Sequence, residues 1–433
     1  MNRSKLKRHQ QTTSNISIRY NHVYELFEDR LRENTHKTFV ICPGKKEQKY
    51  SYLEFELQSQ SYAKFLMCTP GSELNRVCLI AANSAEFLFV YFATLSLGLT
   101  CVPINPNLSP DEMAYIIEDS NSELVLYGKT LDRKISQIEN EIDSGCNFQC
   151  IESINKDSSF KEQIDGSHEK RSIEPTDEAV IIYTSGTTGR PKGVVLTHLN
   201  LLSDSKALCD HFQFNSNTRT LCVLPLFHNN GQVTTLLAPL WAGGSIVVAR
   251  GAAILAIFWE LVDNYKVTFS SVMASILSIL LAQNKENKSS TLKAILCGGQ
   301  VLTESVQKDF EDRFEVPIFE GYGLTETTSF ACINGYPKEN RRLGSIGKPL
   351  YINTMAILDE SETEVGADVE GEICIRGYNV AREYLNMPSE NKKSFRDGWF
   401  HSGDYGRVEA NGYFVFHGRK DSLIIKGGEN IYP

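Results

Sequence analysis

The chain is organised around one glycine-rich stretch, Tyr183-Thr-Ser-Gly-Thr-Thr-Gly-Arg-Pro-Lys-Gly-Val194. It follows the run Ala-Val-Ile-Ile at 179–182, whose apolar and β-branched residues predict a buried strand. Glycines in such a turn let backbone N–H groups approach an anion, hydroxyl groups add donors, and a lysine adds a positive charge. The residues expected to take part are Thr184, Ser185, Gly186, Thr187, Thr188, Gly189 and Lys192. The stretch therefore predicts a phosphate-binding turn.

This turn differs from the Walker A loop. That pattern needs a glycine five residues after the first one and then Gly-Lys-Ser/Thr, whereas Pro191 stands five residues after Gly186 and Gly193 follows Lys192. A flexible linker is the alternative interpretation. Linkers seldom carry Arg-Pro-Lys and seldom follow a buried strand directly, so the phosphate-binding turn is favoured.

Length and composition restrict the classes of protein that fit. At 433 residues the chain is too long for one compact core, and its net charge of -9 argues against a nucleic-acid partner held through phosphates. The eleven cysteines are scattered and include no Cys-x-x-Cys pair, which predicts reduced core residues of a cytoplasmic protein rather than disulfides or a zinc site. The uncharged run 87–110 could span a bilayer, but Gly98 and Pro103 interrupt it. A buried helix followed by a buried strand is favoured, so no membrane span is expected.

A second motif is Glu320-Gly-Tyr-Gly-Leu-Thr-Glu-Thr327. Tyr322 stands between Gly321 and Gly323, so its ring offers a flat face on which a purine could stack. Glu326 supplies the oxygen ligand that Mg²⁺ prefers. Alone, the motif is equally typical of a strand-to-helix turn, and only its combination with the phosphate-binding turn favours a nucleotide site.

Three further segments carry candidate residues. Trp399-Phe-His-Ser-Gly-Asp404 ends in a carboxylate that can accept two ribose hydroxyl groups, although an aspartate in a surface turn is the alternative. His228 follows a predicted strand, where α/β sheets bind ligands, although isolated histidines more often belong to a core. Gly299 and Gln300 follow another predicted strand and could line a ligand, or form a plain turn.

Together these motifs resemble those of the adenylate-forming superfamily, which includes acyl- and aryl-CoA ligases, firefly-type luciferases and peptide-synthetase adenylation domains. The resemblance covers nearly the whole chain from about residue 20. It implies that ATP, Mg²⁺ and CoA serve to convert a small carboxylic acid into an acyl-adenylate and then a thioester. A protein-bound acceptor, an acyl carrier protein, remains an alternative to CoA.

The resemblance also implies a role for each matching residue. Tyr322 would contact adenine, Asp404 and Arg419 the ribose, and Glu326 with Thr184 the metal. The expected catalytic residues are Lys192, His228, Thr325 and Glu326, and Gly299, Gln300, Gly321 and Gly323 would border the nucleotide. Asp421 would be the hinge of a C-terminal domain. Amino-acid-activating relatives carry an aspartate near His228, and its absence here argues against amino-acid substrates.

Strand and helix patterns predict an α/β protein, and the resemblance identifies it as the large N-terminal domain of adenylate-forming enzymes. The predicted parts are a disordered basic tail (1–19), two doubly wound lobes (20–178 and 179–345), a small β subdomain (346–417) and a hinge segment (418–433). The polar segment 143–177 is predicted to be a loop. Because Pro433 precedes the lysine-bearing domain of the superfamily, adenylation by this chain is expected to be slow. The alternative is a non-catalytic module that binds a nucleotide or an adenylate.

Overall fold

The computed structural model of the chain describes residues 16–69, 74–142, 145–154, 171–184, 189–283, 291–420, 424–426 and 429–431. The helices are α1 (Val23–Asn34), α2 (Tyr52–Cys68), α3 (Ala85–Ser96), α4 (Pro110–Asp119), α5 (Asp132–Glu141), α6 (Ile151–Ile154), α7 (His198–His211), α8 (Asn229–Gln232), α9 (Ala238–Trp241), α10 (Phe258–Tyr265), α11 (Ala274–Ala282), α12 (Glu304–Phe314) and α13 (Pro388–Ser394).

The strands are β1 (Thr38–Cys42), β2 (Gln48–Ser51), β3 (Arg76–Ile80), β4 (Thr100–Pro103), β5 (Leu124–Tyr127), β6 (Asn147–Cys150), β7 (Glu178–Thr184), β8 (Lys192–Thr197), β9 (Arg219–Cys222), β10 (Ser245–Val248), β11 (Phe269–Val272), β12 (Ala294–Cys297), β13 (Ile318–Tyr322), β14 (Cys332–Ile333), β15 (Lys348–Pro349), β16 (Asn353–Leu358), β17 (Gly371–Gly377), β18 (Glu383–Tyr384), β19 (Phe395–Arg396), β20 (Trp399–Val408), β21 (Phe414–Arg419), β22 (Ile424–Lys426) and β23 (Glu429–Ile431).

The first sheet contains the strands on either side of the glycine-rich turn. Its seven strands are ordered β18-β8-β7-β4-β3-β5-β6. The five strands from β7 to β6 run parallel, but β8 is antiparallel to β7 and β18 is antiparallel to β8. The sheet is therefore mixed rather than wholly parallel as predicted. Thr184 pairs directly with Lys192, and so short a connection allows only antiparallel pairing.

The second sheet draws strands from two distant parts of the chain. Its nine strands are ordered β15-β14-β13-β12-β11-β9-β10-β1-β2, with a parallel centre from β13 to β1. The hairpin predicted near residues 39–52 is confirmed as β1–β2, yet it pairs with β10. The phosphate-turn strands, conversely, lie in the first sheet. The two sheets therefore do not follow the predicted division at residues 178 and 179, because sequence pattern identifies a strand but not its partner.

Alternating side chains show how the layers stack. In β3, Val77 and Leu79 belong to a large core shared by both sheets, whereas Cys78 and Ile80 pack with α4 and α5. Helices α1, α2, α3 and α7 fill the shared core, and α10, α11 and α12 cover the outer face of the second sheet. Ten of the twelve residues of α3 are buried, as expected for a helix enclosed on all sides. The predicted α/β class with helices on both faces is confirmed.

The third sheet is antiparallel, in the order β16-β17-β20-β19 with β21 beside β20. It corresponds to the predicted small β subdomain, except that β18 leaves this region to pair with β8 in the first sheet. Two other predictions need correction. The segment 143–177 contains β6 and α6 among its described residues, and Ile16 and Ile18, assigned to the disordered tail, pack against the shared core.

The carboxyl ends of the two large sheets are joined by Asn83, which follows β3. Its side-chain amide donates to the backbone carbonyl groups of Leu224 and Ala249, at 2.9 and 3.2 Å, and its oxygen accepts from the Leu226 amide at 2.7 Å. Leu224 follows β9 and Ala249 follows β10. One side chain thus ties the carboxyl edge of one sheet to that of the other.

The segment weighed as a membrane span forms α3 and β4, a buried helix followed by a buried strand as predicted. Within the described part of the chain, the helices are too short or too polar to cross a bilayer.

Candidate functional site

Several of the predicted site residues follow strands of the second sheet at its carboxyl end. His228 follows β9, Gly299 and Gln300 follow β12, and Thr325 and Glu326 follow β13. In the sheet β12 lies next to β13, and β11 alone separates β12 from β9. The segments that follow these strands therefore lie close together. Parallel strands place their ligand sites at this edge.

Tyr322, Asp404, Arg419 and Phe416 form what we call the tyrosine–aspartate cluster. The Tyr322 hydroxyl group donates to Asp404 Oδ2 at 2.7 Å, and Arg419 Nε lies 3.1 Å from Asp404 Oδ1. The ring of Phe416 lies 6.1 Å from that of Tyr322, centroid to centroid. The pKa of Asp404 is raised, chiefly by burial, although Arg419 and Tyr322 act to lower it. The cluster thus presents a buried carboxylate that already has two partners.

A β-bulge in β20 directs Asp404 into this cluster. The pairing of β17 with β20 shifts between Glu372 and Cys374, at the point where β20 contains Gly403 and Asp404. Gly403 adopts a φ of +71°, which favours glycine, and its amide donates to Glu372 Oε1 at 3.0 Å. Bulges often redirect a side chain next to a site. Glu372 therefore fixes the backbone that carries Asp404.

Lys192, Glu326, Tyr384 and Glu390 form a second group, the lysine cluster. Lys192 Nζ lies 2.6 Å from Glu390 Oε1 and 5.2 Å from the centroid of the Tyr384 ring. The Tyr384 hydroxyl group donates to Glu326 Oε1 at 2.7 Å. Thr184 pairs with Lys192 across β7 and β8, so it stands beside this group. The predicted lysine and the predicted metal ligand are thus held together through Tyr384.

The backbone that follows Glu326 is strained. Thr328 has φ +67° and ψ −63°, and the Ser329 amide donates to Thr327 O at 2.8 Å, which defines a γ-turn. A β-branched residue at positive φ costs about 1–3 kcal/mol and persists where its surroundings over-determine it. The Thr328 hydroxyl group donates to Asn379 O at 2.7 Å, and the Asn229 side chain donates to Thr328 O. Such strain is typical of functional sites.

The buried side chain of Asp204 supports the same turn from α7. Its Oδ2 accepts from the Phe330 amide at 3.2 Å, and burial raises its pKa well above the ordinary value. Phe330 and its neighbour Ser329 in turn explain two predicted glycines. A Cβ atom at Gly321 would lie 2.6 Å from the Phe330 ring, and a Cβ atom at Gly323 would lie 1.9 Å from Ser329 O. Both glycines are therefore required by packing within the protein itself.

His228 and Gln300 lie at the open side of the edge. His228 is exposed, although the protein that partly surrounds its ring lowers its pKa. Its neighbour Asn229 contacts the strained turn, which links the His228 segment to Glu326. Gly299 is exposed with a φ of +76°, and Gln300 Oε1 accepts from the Ser275 amide at 3.1 Å, at the start of α11. Gln300 thus has a structural partner in addition to its predicted role.

Part of the phosphate-binding turn lies outside the described residues, namely Ser185, Gly186, Thr187 and Thr188, as does the predicted hinge residue Asp421. The described flank is supported by α4. The Arg190 guanidinium lies 5.3 Å from the centroid of the Tyr115 ring, and the Tyr115 hydroxyl group donates to Pro191 O at 3.3 Å. Gly189 has a φ of +97°, a conformation that favours glycine at this end of the turn.

Several residues of the site were not identified from sequence. Tyr384 and Glu390 lie about 190 to 200 residues beyond Lys192, and a hydroxyl or carboxylate in an ordinary segment gives no local signal. Asn83, Asp204 and Asn379 act through tertiary contacts, mainly with backbone groups of remote segments. Asn83 alone could have been suspected, since it follows a buried strand at the edge where ligands bind.

Comparison with known proteins identifies the family of the chain. A family model described as AMP-binding enzyme matches residues 27–385. Oxalate–CoA ligase of Arabidopsis thaliana is 34% identical over 372 residues, which span 82% of this chain and 71% of the relative. Crotonobetaine/carnitine–CoA ligase of Escherichia coli is 29% identical over 427 residues, spanning 95% of this chain and 82% of the relative.

Solved structures give the same result. The crystal structure of ATP-bound MatB from Rhodopseudomonas palustris has a TM-score of 0.85 at 26% identity, and the match covers 96% of this chain and 82% of that one. A family match over more than half of the residues, a 34% identical relative and a shared fold all point the same way. The chain belongs to the AMP-binding enzyme family, and the relatives it resembles are acid–CoA ligases.

Proposed function

We propose that the protein activates a carboxylic acid with ATP to form an acyl-adenylate, which then reacts with CoA to give a thioester. The observation that carries this proposal is the presence of two complementary clusters on one segment. Tyr322 reaches a buried carboxylate, and Glu326, four residues later, reaches a lysine through Tyr384. The first cluster suits a nucleoside and the second suits phosphates.

In the first step, a carboxylate oxygen of the acid attacks the α-phosphorus of ATP. An oxygen–phosphorus bond forms, and the bond from the α-phosphorus to the bridging oxygen breaks with its electron pair leaving on pyrophosphate. Such a reaction depends on alignment and charge neutralisation rather than on covalent help from the protein. Lys192 would neutralise phosphate charge, while Asp404 and Arg419 would hold the ribose.

The residues present fit a magnesium ion. The Tyr384 hydroxyl group donates to Glu326 Oε1. Among the described residues no hydrogen bond to Glu326 Oε2 is found, so this oxygen can bind a ligand. A carboxylate oxygen beside a phosphate-binding turn is a typical Mg²⁺ ligand, and Thr184 would add a hydroxyl group. When bound, the ion would neutralise charge on the phosphates. Glu326 and Thr184 would hold it, and Lys192 would act from the neighbouring strand.

In the second step, the CoA thiol loses its proton to solvent and its sulfur attacks the acyl carbonyl carbon. A carbon–sulfur bond forms and AMP leaves with the electrons of the carbon–oxygen bond. CoA is proposed as the acceptor because the relatives are named as CoA ligases. A site at the exposed edge with His228 and Gly299 would receive the acid, since both border the open side of the sheet.

Trapping the adenylate with hydroxylamine tests this function. The chain is incubated with ATP, Mg²⁺, hydroxylamine and one acid at a time, beginning with oxalate and carnitine, after the names of the relatives, and continuing with acetate, octanoate and benzoate. At least one acid should give a hydroxamate with one pyrophosphate for each molecule formed. The control variant is Asp368→Asn, which alters an exposed carboxylate of the β subdomain that belongs to neither cluster. It should leave the yield unchanged.

Binding is measured in parallel through the thermal unfolding midpoint in the presence of acyl-sulfamoyl-adenosine analogues. A raised midpoint with no acid-dependent pyrophosphate would favour the alternative, a non-catalytic adenylate-binding module. If no analogue raised the midpoint and no acid gave a hydroxamate, both interpretations would be contradicted.

A further inference from the structure

A compact group of metal-ligating side chains lies outside the two clusters, on β17 and β20. It consists of Glu372, Cys374 and His401, whose ligand atoms all lie within 4.8 Å of one another. The distances from His401 Nδ1 are 3.4 Å to Cys374 Sγ and 3.5 Å to Glu372 Oε2. Within the described ranges it is the one such group of three.

The three ligands are held by the sheet. Cys374 pairs directly with His401 across β17 and β20, and Glu372 precedes Cys374 by two residues, which places both side chains on one face of β17. Cys374 is fully buried and His401 is 7% exposed. The backbone of two paired strands therefore presents the ligands at little entropic cost.

A hydrogen-bonded triad is a poor description of this group. In a triad the imidazole uses one nitrogen for each neighbour, whereas here the thiol and the carboxylate both approach Nδ1. The single proton available on Nδ1 can lie along only one of these two lines. Three potential ligands that converge on one point are arranged instead as they would be around a cation.

Two of the three separations agree with a tetrahedral zinc site, and the third, from Cys374 Sγ to the Glu372 carboxylate, is within 4.8 Å. Bond lengths of about 2.3 Å for Zn–S and about 2.0–2.1 Å for Zn–N and Zn–O place neighbouring ligand atoms about 3.3–3.6 Å apart at tetrahedral angles. The observed 3.4 and 3.5 Å lie in this range. A thiolate and an imidazole favour Zn²⁺ over Mg²⁺ or Ca²⁺, which prefer oxygen ligands. With three protein ligands, the fourth position would hold water.

We propose that Glu372, Cys374 and His401 form a binding site for Zn²⁺ at the base of the bulge that carries Asp404. Zn²⁺ binds the thiolate, so the thiol proton of Cys374 leaves to solvent as the metal–sulfur bond forms. Glu372 would bind through Oε2 while Oε1 keeps its hydrogen bond from the Gly403 amide. The metal thereby fixes the carboxylate that holds the bulge.

Cobalt spectroscopy tests the site on the intact chain. The metal-free protein, kept reduced with a phosphine that does not bind metal, is titrated with Co²⁺ alone. One equivalent should give the visible bands of tetrahedral Co²⁺ and a thiolate charge-transfer band, and Zn²⁺ should displace both. Cys374→Ser should lose the charge-transfer band, and His401→Gln should weaken binding at least about tenfold.

The matched control is Cys332→Ser, which changes another buried cysteine, whose thiol donates to Ile346 O at 3.2 Å, and should leave the spectrum intact. Glu372→Gln, at a partly exposed position, provides a second test if Cys374→Ser does not fold. Co²⁺ spectra that are the same in Cys374→Ser as in the parent would overturn the site.

Amide exchange tests the link to the bulge. Zn²⁺ should slow hydrogen exchange at Gly403 in the parent and not in Cys374→Ser. Unchanged exchange in the zinc-loaded parent would overturn the proposed connection between the metal and Asp404.

Discussion

The tyrosine–aspartate cluster and the lysine cluster are joined by one short segment, from Tyr322 to Glu326, which contributes one residue to each. They hold their charges differently. Asp404 is buried, and its partners Tyr322 and Arg419 can remain in place while ribose hydroxyl groups approach. In the lysine cluster, Lys192 is neutralised by Glu390, and Glu326 is capped by Tyr384. Each of these charges already has a partner within the protein.

This difference indicates that the two halves of a nucleotide would meet different costs. The nucleoside half meets a preformed carboxylate, so its binding requires little rearrangement. The phosphate half must compete with Glu390 for Lys192, because Glu390 Oε1 already lies 2.6 Å from the ammonium group and neutralises its charge. We therefore expect substitutions in the first cluster to weaken the binding of ATP and AMP alike. Substitutions in the second cluster should change the affinity for ATP more than that for AMP.

The largest effect is expected for Asp404→Asn. Loss of the charge should weaken the binding of AMP and of ATP alike by about 10- to 150-fold, because a hydrogen bond to a charged group contributes about 1.5–3 kcal/mol. Isothermal titration calorimetry measures both affinities. An effect on ATP alone would contradict the assignment of this carboxylate to the nucleoside.

Glu390→Gln should raise the affinity for ATP about fivefold and change that for AMP less. The substitution removes the internal competitor of Lys192, and a partly exposed ion pair contributes at most about 1 kcal/mol. Glu383→Gln is the matched control, since Glu383 is an exposed neighbour that contacts Arg382 and not Lys192. A loss of ATP affinity in Glu390→Gln would show that Glu390 positions Lys192 rather than competing with the ligand.

Tyr384→Phe should lower the Mg²⁺ concentration needed for half-maximal ATP binding about twofold. Removing the hydroxyl group leaves Glu326 Oε1 to the metal, and a twofold change corresponds to about 0.4 kcal/mol. Titration of Mg²⁺ at a fixed ATP concentration measures the change. A higher Mg²⁺ requirement would mean that Tyr384 orients Glu326 for the metal.

The smallest effect is expected on stability, since Arg419 and Tyr322 oppose the effect of burial on Asp404. The net pKa of Asp404 is raised, so the unfolded chain ionises first as pH rises above about 4. As the pH rises, the parent should lose stability relative to Asp404→Asn until Asp404 also ionises in the folded protein. As the pH falls below about 4, this difference in the free energy of unfolding should disappear. Urea unfolding from pH 3 to pH 7 measures this difference. A stability difference that shifts in favour of the parent as the pH rises from 3 to 7 would contradict the sign.

Much of the fold was predictable because its signals are local. The helix predicted from Ser109, Pro110 and Glu112 is α4, and both hydrogen bonds of its capping box are formed. Strand β3 begins at Arg76 as predicted. Strand partners were not predictable, because periodicity identifies the buried face of a strand but not the neighbour that covers its edge.

The site divides in the same way. Tyr322 and Asp404 were identified from motifs, and the structure joins them by a hydrogen bond, although their roles toward a nucleotide remain predictions. Glu390 and Tyr384 could not be found, because their importance lies in contacts with Lys192 and Glu326 from remote segments. The positive φ of Thr328 was equally hidden, since tertiary contacts impose it on a residue that disfavours it.

The placement of β1 at the far side of the second sheet has a consequence for synthesis. Val40 pairs with Ile246, so at about 5–20 residues per second the ribosome needs about 10 to 40 s to deliver the partner strand. During that interval the backbone edge of β1 that pairs with β10 is open, and Ile41, which packs in the folded protein with residues from Leu221 onward, waits for its neighbours. Nascent chains should therefore depend on a holding chaperone until β10 has left the exit tunnel.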